Sequence, residues 1–351
     1  MSDGRPHRAT PDGGGADPVD DDVAEPTGSA RTTPAVAIPH RTGLSVLLTW
    51  VRRLTVATVV AFAAVQVARQ WPEVSATVRA LPWVHVLLSV LATAAGVLLG
   101  PLVWRAALAA MGARVRIPQA ARVYLVGQLG KYVPGSVVAL LLQMELARAA
   151  GISRVRGLTA SLLTAGVAVV TSLLAGLLAI PALAGSRPAL LWLFTLLPVG
   201  LALLHPAVLT SVVDRLLALL RQQPLPQRLA GGAILRASGL SLLGYLLYGV
   251  QLFLLVDTVL GPGSTNRALL LVLCVGTMGV AMTAGLAAFV LPSGIGAREA
   301  VIVGALTAVL PYGQALALAI VSRVVFTVVE LASAGVAALV ARRSTRHGTP
   351  G

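Results

Sequence analysis

Charged residues are scarce in this sequence. Asp, Glu, Lys and Arg make up only 11% of its 351 residues, 56% are apolar, and the mean hydropathy is +0.85. Soluble globular domains contain about 25% charged and about 45–50% apolar residues. This composition excludes a soluble globular protein and predicts an all-α, polytopic helical bundle in a membrane. The net charge of +14 does not indicate nucleic-acid binding, because the basic residues punctuate apolar blocks and form no continuous basic face.

Residues that commonly form disulfides, bind metals or catalyse reactions are also few. The single cysteine, Cys274, excludes a disulfide framework and a cysteine-based metal site. The five histidines form no pair at metal-ligand spacing, and the sequence contains no Walker-type or nucleophile-elbow motif. Seven of the thirteen acidic residues lie within 1–40, which leaves little material for acid–base catalysis elsewhere. We therefore expect no enzyme activity, no metal and no cofactor.

Composition divides the chain into three parts. Residues 1–43 are rich in acidic residues, Pro and Gly and have little apolar surface to bury, which predicts a disordered cytoplasmic tail. This segment lacks the basic start and apolar core of a cleavable signal peptide. Residues 44–341 form the predicted transmembrane domain, and residues 342–351 form a short basic cytoplasmic tail.

Apolar segments recur along the predicted membrane domain. A transmembrane helix needs about 20 mostly apolar residues, and the segments that reach or approach this length are 54–68, 83–104, 157–180, 189–204, 236–258, 268–290 and 314–340. If the shorter block 297–310 also crosses, nineteen Lys and Arg residues lie on the cytoplasmic side and four on the other. This positive-inside bias predicts about eight spans in the cytoplasmic (inner) membrane, with both termini in the cytoplasm.

The segment 117–149 does not have the pattern of a single transmembrane helix. Its two apolar arms are each too short to cross a bilayer, and they are separated by helix-breaking residues that include Gly130, Pro134 and Gly135. Free backbone groups at membrane depth are tolerated only beside protein or water. The pattern predicts a re-entrant hairpin that lines a wet cavity. The alternative is a cytoplasmic loop with two surface helices.

A second break lies at 291–299, within a longer apolar stretch. Pro292, Gly294 and Gly296 interrupt the helix, and the helix that follows starts with the pair Arg298 and Glu299. Unpaired N–H groups at a helix start favour an anion. Transporters place binding sites between paired Gly/Pro breaks of this kind, so the two breaks together predict a site between them.

The last span carries two charged residues, Arg323 and Glu330, which are seven positions apart and therefore share one helix face. A charge at the bilayer centre costs about 2.5–3.5 kcal/mol on insertion scales, so neither is expected to face lipid. One interpretation is a structural pairing that locks this helix to its neighbours. The other places Arg323 in one cavity with Arg298 and Lys131, where planar guanidinium groups bind a phosphate or another anionic head group.

The two broken sites resemble the signatures of a known family. The resemblance rests on three motifs: Gly-Lys-Tyr-Val-Pro-Gly-Ser at 130–136, Leu-Pro-Ser-Gly-Ile-Gly-Ala-Arg-Glu at 291–299, and Ser-Arg at 322–323. They are similar to the lysylphosphatidylglycerol synthase transmembrane region, a flippase-type domain, and the resemblance covers about residues 50–341. It implies a helical domain whose internal cavity moves an aminoacylated or otherwise modified lipid between leaflets. The positions that match the signatures are Lys131, Pro134, Pro292, Gly294, Gly296, Arg298, Glu299 and Arg323.

The first functional hypothesis is translocation of an anionic or modified membrane lipid. The chain resembles stand-alone members without the synthase domain, so lipid synthesis is not expected. A second hypothesis is a non-catalytic membrane partner or scaffold that docks a glycosyltransferase or a lipid synthase through basic cytoplasmic loops. A third is a membrane enzyme that acts on a lipid phosphate. Lipid head-group contacts are assigned to Lys131, Arg298, Glu299, Arg323 and Glu330.

Overall fold

The chain divides into two units, Met1–Val46 and Leu47–Gly351. The computed structural model describes residues 65, 68–132, 137–181, 188–219, 229–261, 263, 266–288 and 291–346, all within the second unit. The predicted acidic tail, most of the apolar segment 54–68 and the last five residues lie outside this part. Pro134 and Gly135 of the first predicted break also lie outside it.

The described residues form helices and short helical turns, with no strand among them. The helices are α1 Trp71–Ala80, α2 Trp83–Ala110, α3 Ile117–Ala121, α4 Val137–Ala149, α5 Arg154–Gly176, α6 Leu196–Leu204, α7 Pro206–Leu219, α8 Gly231–Leu260, α9 Arg267–Ala287, α10 Ala297–Leu306 and α11 Tyr312–Arg346. A π-helical turn covers Arg122–Val126, and 3-10 turns cover Leu129–Tyr132, Leu177–Ala179, Pro188–Thr195 and Pro292–Gly294.

Five of these helices are long and apolar enough to cross a membrane: α2, α5 with its 3-10 extension, α8, α9 and α11. A sixth span results if Leu191–Leu204 and Pro206–Arg215, which meet at a bend of 87°, are taken together. The all-α polytopic membrane fold predicted from composition is therefore confirmed. The count of eight spans stays a prediction, because α10 has only ten residues and the segment 54–68 lies largely outside the described residues.

Polar side chains begin two of the spans. Asn266 precedes α9 and its Oδ1 accepts hydrogen bonds from the backbone N–H groups of Ala268 and Leu269, at 2.9 and 3.3 Å. Ser153 precedes α5 and its Oγ accepts from the N–H of Arg156 at 3.3 Å. Each cap satisfies N–H groups that have no partner within the helix. The two helix starts are thus fixed by local sequence.

Small residues set the closest helix contacts in the bundle. A Cβ atom on Gly279 of α9 would fall on the backbone of Ser172 in α5, and one on Gly276 would fall on the backbone of the 3-10 turn after α5. Small residues allow helices to approach closely in membranes, where dispersion contacts replace the hydrophobic driving force. By contrast, the outward faces of α2, α8 and α11 expose large apolar side chains, among them Leu91, Leu98, Leu235, Leu243, Val328 and Val336.

The segment 117–149 forms two helical arms that pack against each other. The first arm runs from α3 through Arg122–Val126 to Leu129–Tyr132, and the second arm is α4. The π-helical turn of the first arm contacts both α2 and α11, and its Val123 and Leu125 are buried. This packing inside the bundle agrees with the predicted hairpin and disfavours two surface helices.

Candidate functional site

The first arm of the hairpin delivers Lys131 and Tyr132 to the interior through its terminal 3-10 turn, Leu129–Tyr132. Gly130 permits the close packing of the two arms, because a Cβ atom there would lie 2.6 Å from both the backbone N and the Cα of Ala139 in α4. A larger residue would push the arms apart. The glycine is thus required by the approach of the second arm.

The second break has a strained backbone that turns the chain from α9 into α10. Ser293 adopts φ 51° and ψ 28°, and Gly294 and Gly296 have φ values of 64° and 90°. Only glycine adopts such conformations without steric penalty. Gly294 also sits against α9, since its Cβ would lie 2.5 Å from the Cα of Gly285. This predicted break is therefore present in the structure, opening at Pro292 and ending where α10 begins.

Glu330 of α11 connects the last span to the first break. Its Oε1 accepts a hydrogen bond from Lys131 Nζ at 2.6 Å, and its Oε2 accepts one from the Tyr132 hydroxyl at 2.5 Å. The Lys131 and Glu330 side chains are 29% and 18% exposed, so the pair is partly desolvated. Charge-assisted hydrogen bonds of this length are the strong ones in proteins. The carboxylate therefore ties α11 to the hairpin.

Arg323 of the same helix connects it to the second break. Its Nη1 donates to the carbonyl oxygen of Ser293 at 3.0 Å and lies 3.7 Å from Oε1 of Glu299. The other oxygen of Glu299 accepts from the N–H of Gly296 at 2.7 Å and so caps the start of α10. Arg323 thus holds both the turn and the capping carboxylate in place.

Arg298 is the most deeply buried charged residue of the site, at 5% exposure. Its guanidinium lies over the ring of Phe326 in α11, with the central carbon 3.9 Å from the ring centroid. Its Nε and Nη2 atoms are buried and have no hydrogen-bond partner among the described residues. A buried, unsatisfied guanidinium is costly for the fold, which makes Arg298 a candidate for binding an anion.

These groups surround a cavity of about 400 Å³ between the two breaks. Pockets that bind small molecules have volumes of about 300–1,000 Å³, so a lipid head group fits this space. Its charged lining residues are Lys131, Arg298, Arg323 and Glu330. Glu299, which the sequence analysis assigned to head-group contact, is not among the lining residues and lies 3.7 Å from Nη1 of Arg323. Three cations and two carboxylates give this cluster a net charge of +1.

The structure brings together the residues that the sequence analysis had assigned to head-group contacts. It also combines the two interpretations of the last span. Arg323 and Glu330 lock α11 to its neighbours, as the structural interpretation requires, and both line the cavity as the functional one requires. Among the described residues, Arg323 forms its ion pair with Glu299 and Glu330 forms its ion pair with Lys131.

The sequence analysis missed the uncharged wall of the cavity. This wall comes from α4 and α5 and includes Gln143, Ser161 and Thr164, with Tyr124 and Tyr245 beside it. Polar residues of this kind inside apolar segments are the signal that could have identified it, because a polar side chain at membrane depth faces protein or water. Within the described residues no group of three or more His, Cys, Asp or Glu comes together.

Comparison with models of known protein families gives a match over most of the chain. A family model described as the lysylphosphatidylglycerol synthase TM region covers residues 46–334. No curated protein matches the chain. The matched range contains both breaks and the whole charged cluster, including Lys131 and Glu330.

Proposed function

Since the chain belongs to the lysylphosphatidylglycerol synthase TM region family, we propose that it translocates an anionic or modified lipid between the leaflets of the cytoplasmic membrane. The single observation that carries this proposal is the unpartnered guanidinium of Arg298 in a cavity lined by Lys131 and Arg323. Intramembrane charges of this kind mark substrate pathways. The family and the apolar helices establish a multi-pass membrane protein, and the cavity supports the further step to lipid transfer.

The cavity is suited to the head group alone. Its volume of about 400 Å³ admits a polar head group, whereas the acyl chains stay in the surrounding bilayer along the exposed apolar faces of the spans. Moving a head group across a bilayer requires that its charge meets protein groups and not hydrocarbon. Arg298 and Arg323 supply such groups. In this proposal the protein transfers the lipid unchanged and catalyses no reaction.

The proposed orientation places both termini in the cytoplasm. It is supported by the distribution of basic residues, nineteen on one side of the predicted spans and four on the other. In this orientation the turn between α4 and α5, which exposes Arg148 and Arg154, lies on the cytoplasmic side.

Lipid translocation in reconstituted vesicles tests the proposal. We expect the parent protein to move a labelled phospholipid between leaflets, and Arg298→Ala and Arg323→Ala to slow this movement at least tenfold. Arg267→Ala is the matched control, because Arg267 is 65% exposed and pairs with Asp257 at the start of α9, away from the cavity. Equal rates for the parent and both cavity variants would show that the assigned roles are wrong.

A second candidate function is a non-catalytic scaffold for a glycosyltransferase or a lipid synthase. The observation that favours it is the exposure of four arginines: Arg114 and Arg116 in the segment after α2, and Arg154 and Arg156 in the first turn of α5. Clustered exposed arginines attract acidic partners. Purification of the full chain together with a stoichiometric soluble partner, lost when these four residues are changed to Gln, would support the scaffold. Retention of the partner by that variant would count against it.

A further inference from the structure

The buried polar residues of the cavity lining are Gln143, Ser161, Thr164 and Arg298. Ser161 Oγ donates to a carbonyl oxygen one turn earlier in α5, at 3.0 Å, and accepts from the indole N–H of Trp104 at 3.1 Å. Thr164 Oγ1 likewise donates to a carbonyl oxygen one turn earlier, at 2.8 Å. A hydroxyl has only one hydrogen to donate. Ser161 and Thr164 therefore offer a ligand no hydrogen-bond donor.

Gln143 of α4 keeps its donors. The residue is only 3% exposed and lines the cavity, and no described residue forms a hydrogen bond with its amide. Its side chain passes the first arm of the hairpin at Gly127, where an added Cβ atom would collide with Cγ of Gln143. A primary amide has two donor hydrogens, and leaving them unpaired at this burial is unfavourable. Gln143 is thus a buried polar group without a described partner, as Arg298 is.

Two other polar groups near the cavity are less available to a ligand. Gln128 also lines it, and its amide is within hydrogen-bonding reach of the Tyr124 hydroxyl on the same arm. Oε1 of Glu299 is buried without a hydrogen-bond partner, but Glu299 is outside the lining and this oxygen lies 3.7 Å from the guanidinium of Arg323. Among the buried lining residues, free donors therefore remain on Gln143 and Arg298.

These two residues belong to different parts of the fold. Gln143 lies on α4, which packs against α5 and the first arm of the hairpin, whereas Arg298 lies on α10, which packs against α9 and α11. Both line the same cavity of about 400 Å³. A phosphate group carries more than one oxygen that accepts charge-assisted hydrogen bonds, so one phosphate can accept from both residues.

Building on the translocation function, we propose that Gln143 is a second binding residue for the phosphate group of the ligand. One phosphate oxygen accepts from the guanidinium of Arg298, and another accepts from the amide NH2 of Gln143. The bound phosphate links α4 to α10 and so connects the hairpin to the second break. An uncharged amide leaves the net charge of the cluster at +1, which the single negative charge of a phosphate diester neutralises.

Binding of phosphatidylglycerol with six-carbon acyl chains to the full chain in detergent, measured by titration calorimetry, tests this contact. We expect Gln143→Met, which removes the donors at similar side-chain volume, to weaken binding about tenfold, as expected for a hydrogen bond to a charged group. Gln143→Glu puts a negative charge beside the phosphate and should weaken binding about tenfold more. Parent-like binding by Gln143→Met would overturn the contact. Tighter binding by Gln143→Glu would show that the amide accepts a hydrogen bond from a cationic group, and would also overturn it.

Gln119→Glu is the matched control for the added charge. Gln119 is exposed at the start of α3, and its Oε1 accepts from the N–H of Arg116 at 3.3 Å, which a carboxylate also does. We expect this variant to bind the lipid within twofold of the parent. A loss as large as that of Gln143→Glu would show that the effect is not local to the cavity, and would count against the contact.

Thermal unfolding separates a binding role of Gln143 from a structural one. Without lipid, Gln143→Met should unfold within a few degrees of the parent, and the rise in unfolding temperature that the lipid gives the parent should be largely lost. Gln143→His, which keeps a ring N–H donor, should bind more tightly than Gln143→Met. Equal binding by these two variants would show that the donor is not used.

Inorganic phosphate distinguishes a lipid head group from a free anion. We expect phosphate to displace the lipid only at concentrations at least a hundredfold above those of the lipid. Displacement at equal concentrations would assign Gln143 and Arg298 to a free phosphate ion and overturn the lipid contact.

Transport in vesicles separates failure of this contact from failure of translocation. We expect Gln143→Glu to move labelled phosphatidylglycerol at least tenfold more slowly than the parent. If the parent and both Gln143→Met and Gln143→Glu move it at one rate, the contact is wrong and translocation stands. If the parent moves no lipid while lipid binding in detergent depends on Gln143, translocation is wrong and the phosphate contact stands.

Discussion

The two breaks of the molecule are built differently, although each delivers a cation to the same cavity. At the hairpin, Lys131 meets a carboxylate at 2.6 Å, and the residue that allows close packing, Gly130, has an ordinary φ. At the second break the backbone passes through three positive φ values, and Arg298 is buried without a hydrogen-bond partner for two of its nitrogens. At the hairpin the charge of Lys131 is neutralised by an ion pair. At the second break two guanidinium nitrogens of Arg298 have no hydrogen-bond partner, and the backbone is strained.

This difference indicates a division of roles between the breaks. A paired charge stabilises the position of a helix only while both partners remain, and its loss exposes an uncompensated charge. An unpaired buried charge and strained backbone are instead the features that proteins retain at functional sites despite their cost to stability. The ion pair ties α11 to the hairpin, and in the proposed function the helix that follows the turn at 291–296 presents the ligand-binding group, Arg298.

The largest predicted contrast is between Lys131→Met and Arg298→Met. The first leaves Glu330 unpaired, so we expect a loss of about 2–3 kcal/mol in stability, below the about 3–5 kcal/mol of fully buried pairs because the side chains keep 29% and 18% exposure. The second removes an unsatisfied buried charge, so we expect unchanged or raised stability together with loss of translocation. Thermal unfolding in detergent, paired with vesicle transport, measures both effects.

The double variant Lys131→Met/Glu330→Met serves as the control for this contrast. It removes both charges, and its unfolding temperature should exceed that of Lys131→Met alone. If Arg298→Met lowers the unfolding temperature as much as Lys131→Met does, the two breaks do not differ in the proposed way.

A smaller effect is expected from Gly294→Ala. The added methyl group would meet Gly285 and would sit in a left-handed conformation that costs about 1–2 kcal/mol for a non-glycine residue. We expect a clear fall in the unfolding temperature and at least a threefold loss of translocation. Gly335→Ala in α11 is the matched control, since its Cβ would meet nothing within 4 Å, and it should match the parent or exceed it slightly. Equal unfolding temperatures and equal translocation rates for the two variants would show that the strained turn contributes to neither stability nor transport.

The smallest effect is predicted at the hairpin, for Gly130→Ala. Here the methyl group meets the backbone of Ala139 but the φ value is not restricted to glycine. Overpacking of this kind costs about 1–3 kcal/mol, and we expect the low end because the first arm ends close by, at Tyr132. Gly166→Ala in α5, where a Cβ has open space, is the comparison. If Gly130→Ala lowers the unfolding temperature more than Gly294→Ala does, the predicted order of sensitivity of the two breaks is wrong.

The sequence was sufficient to predict the fold class and to single out charged residues that the structure places around one cavity. Composition and segment length predict membrane helices, and charges within apolar segments predict a cavity, because hydrocarbon does not tolerate them. The spacing of Arg323 and Glu330 predicted that they share one face of the last span, and both residues line the cavity. These features follow from local physics that a single segment contains.

The pairing within the site was beyond prediction from the sequence. Which carboxylate neutralises which cation depends on distances between α11, the hairpin and α10, which no local pattern encodes. The sequence analysis assigned both Glu299 and Glu330 to head-group contact. In the structure Glu299 caps α10, whereas Glu330 binds Lys131. The number of spans is likewise not fixed by apolar length, because α10 has only ten residues although the block 297–310 is apolar throughout most of its length.

Analysis of the lipids that remain bound to the purified protein tests the central claim most directly, since that claim assigns the anion site to Arg298. Native mass spectrometry of the parent chain and of Arg298→Met, prepared from the same membranes, measures the occupancy of the cavity. We expect about one anionic lipid per parent chain, its loss in Arg298→Met, and its retention in the surface variant Arg267→Met. The same bound lipid at the same occupancy in all three proteins would contradict it.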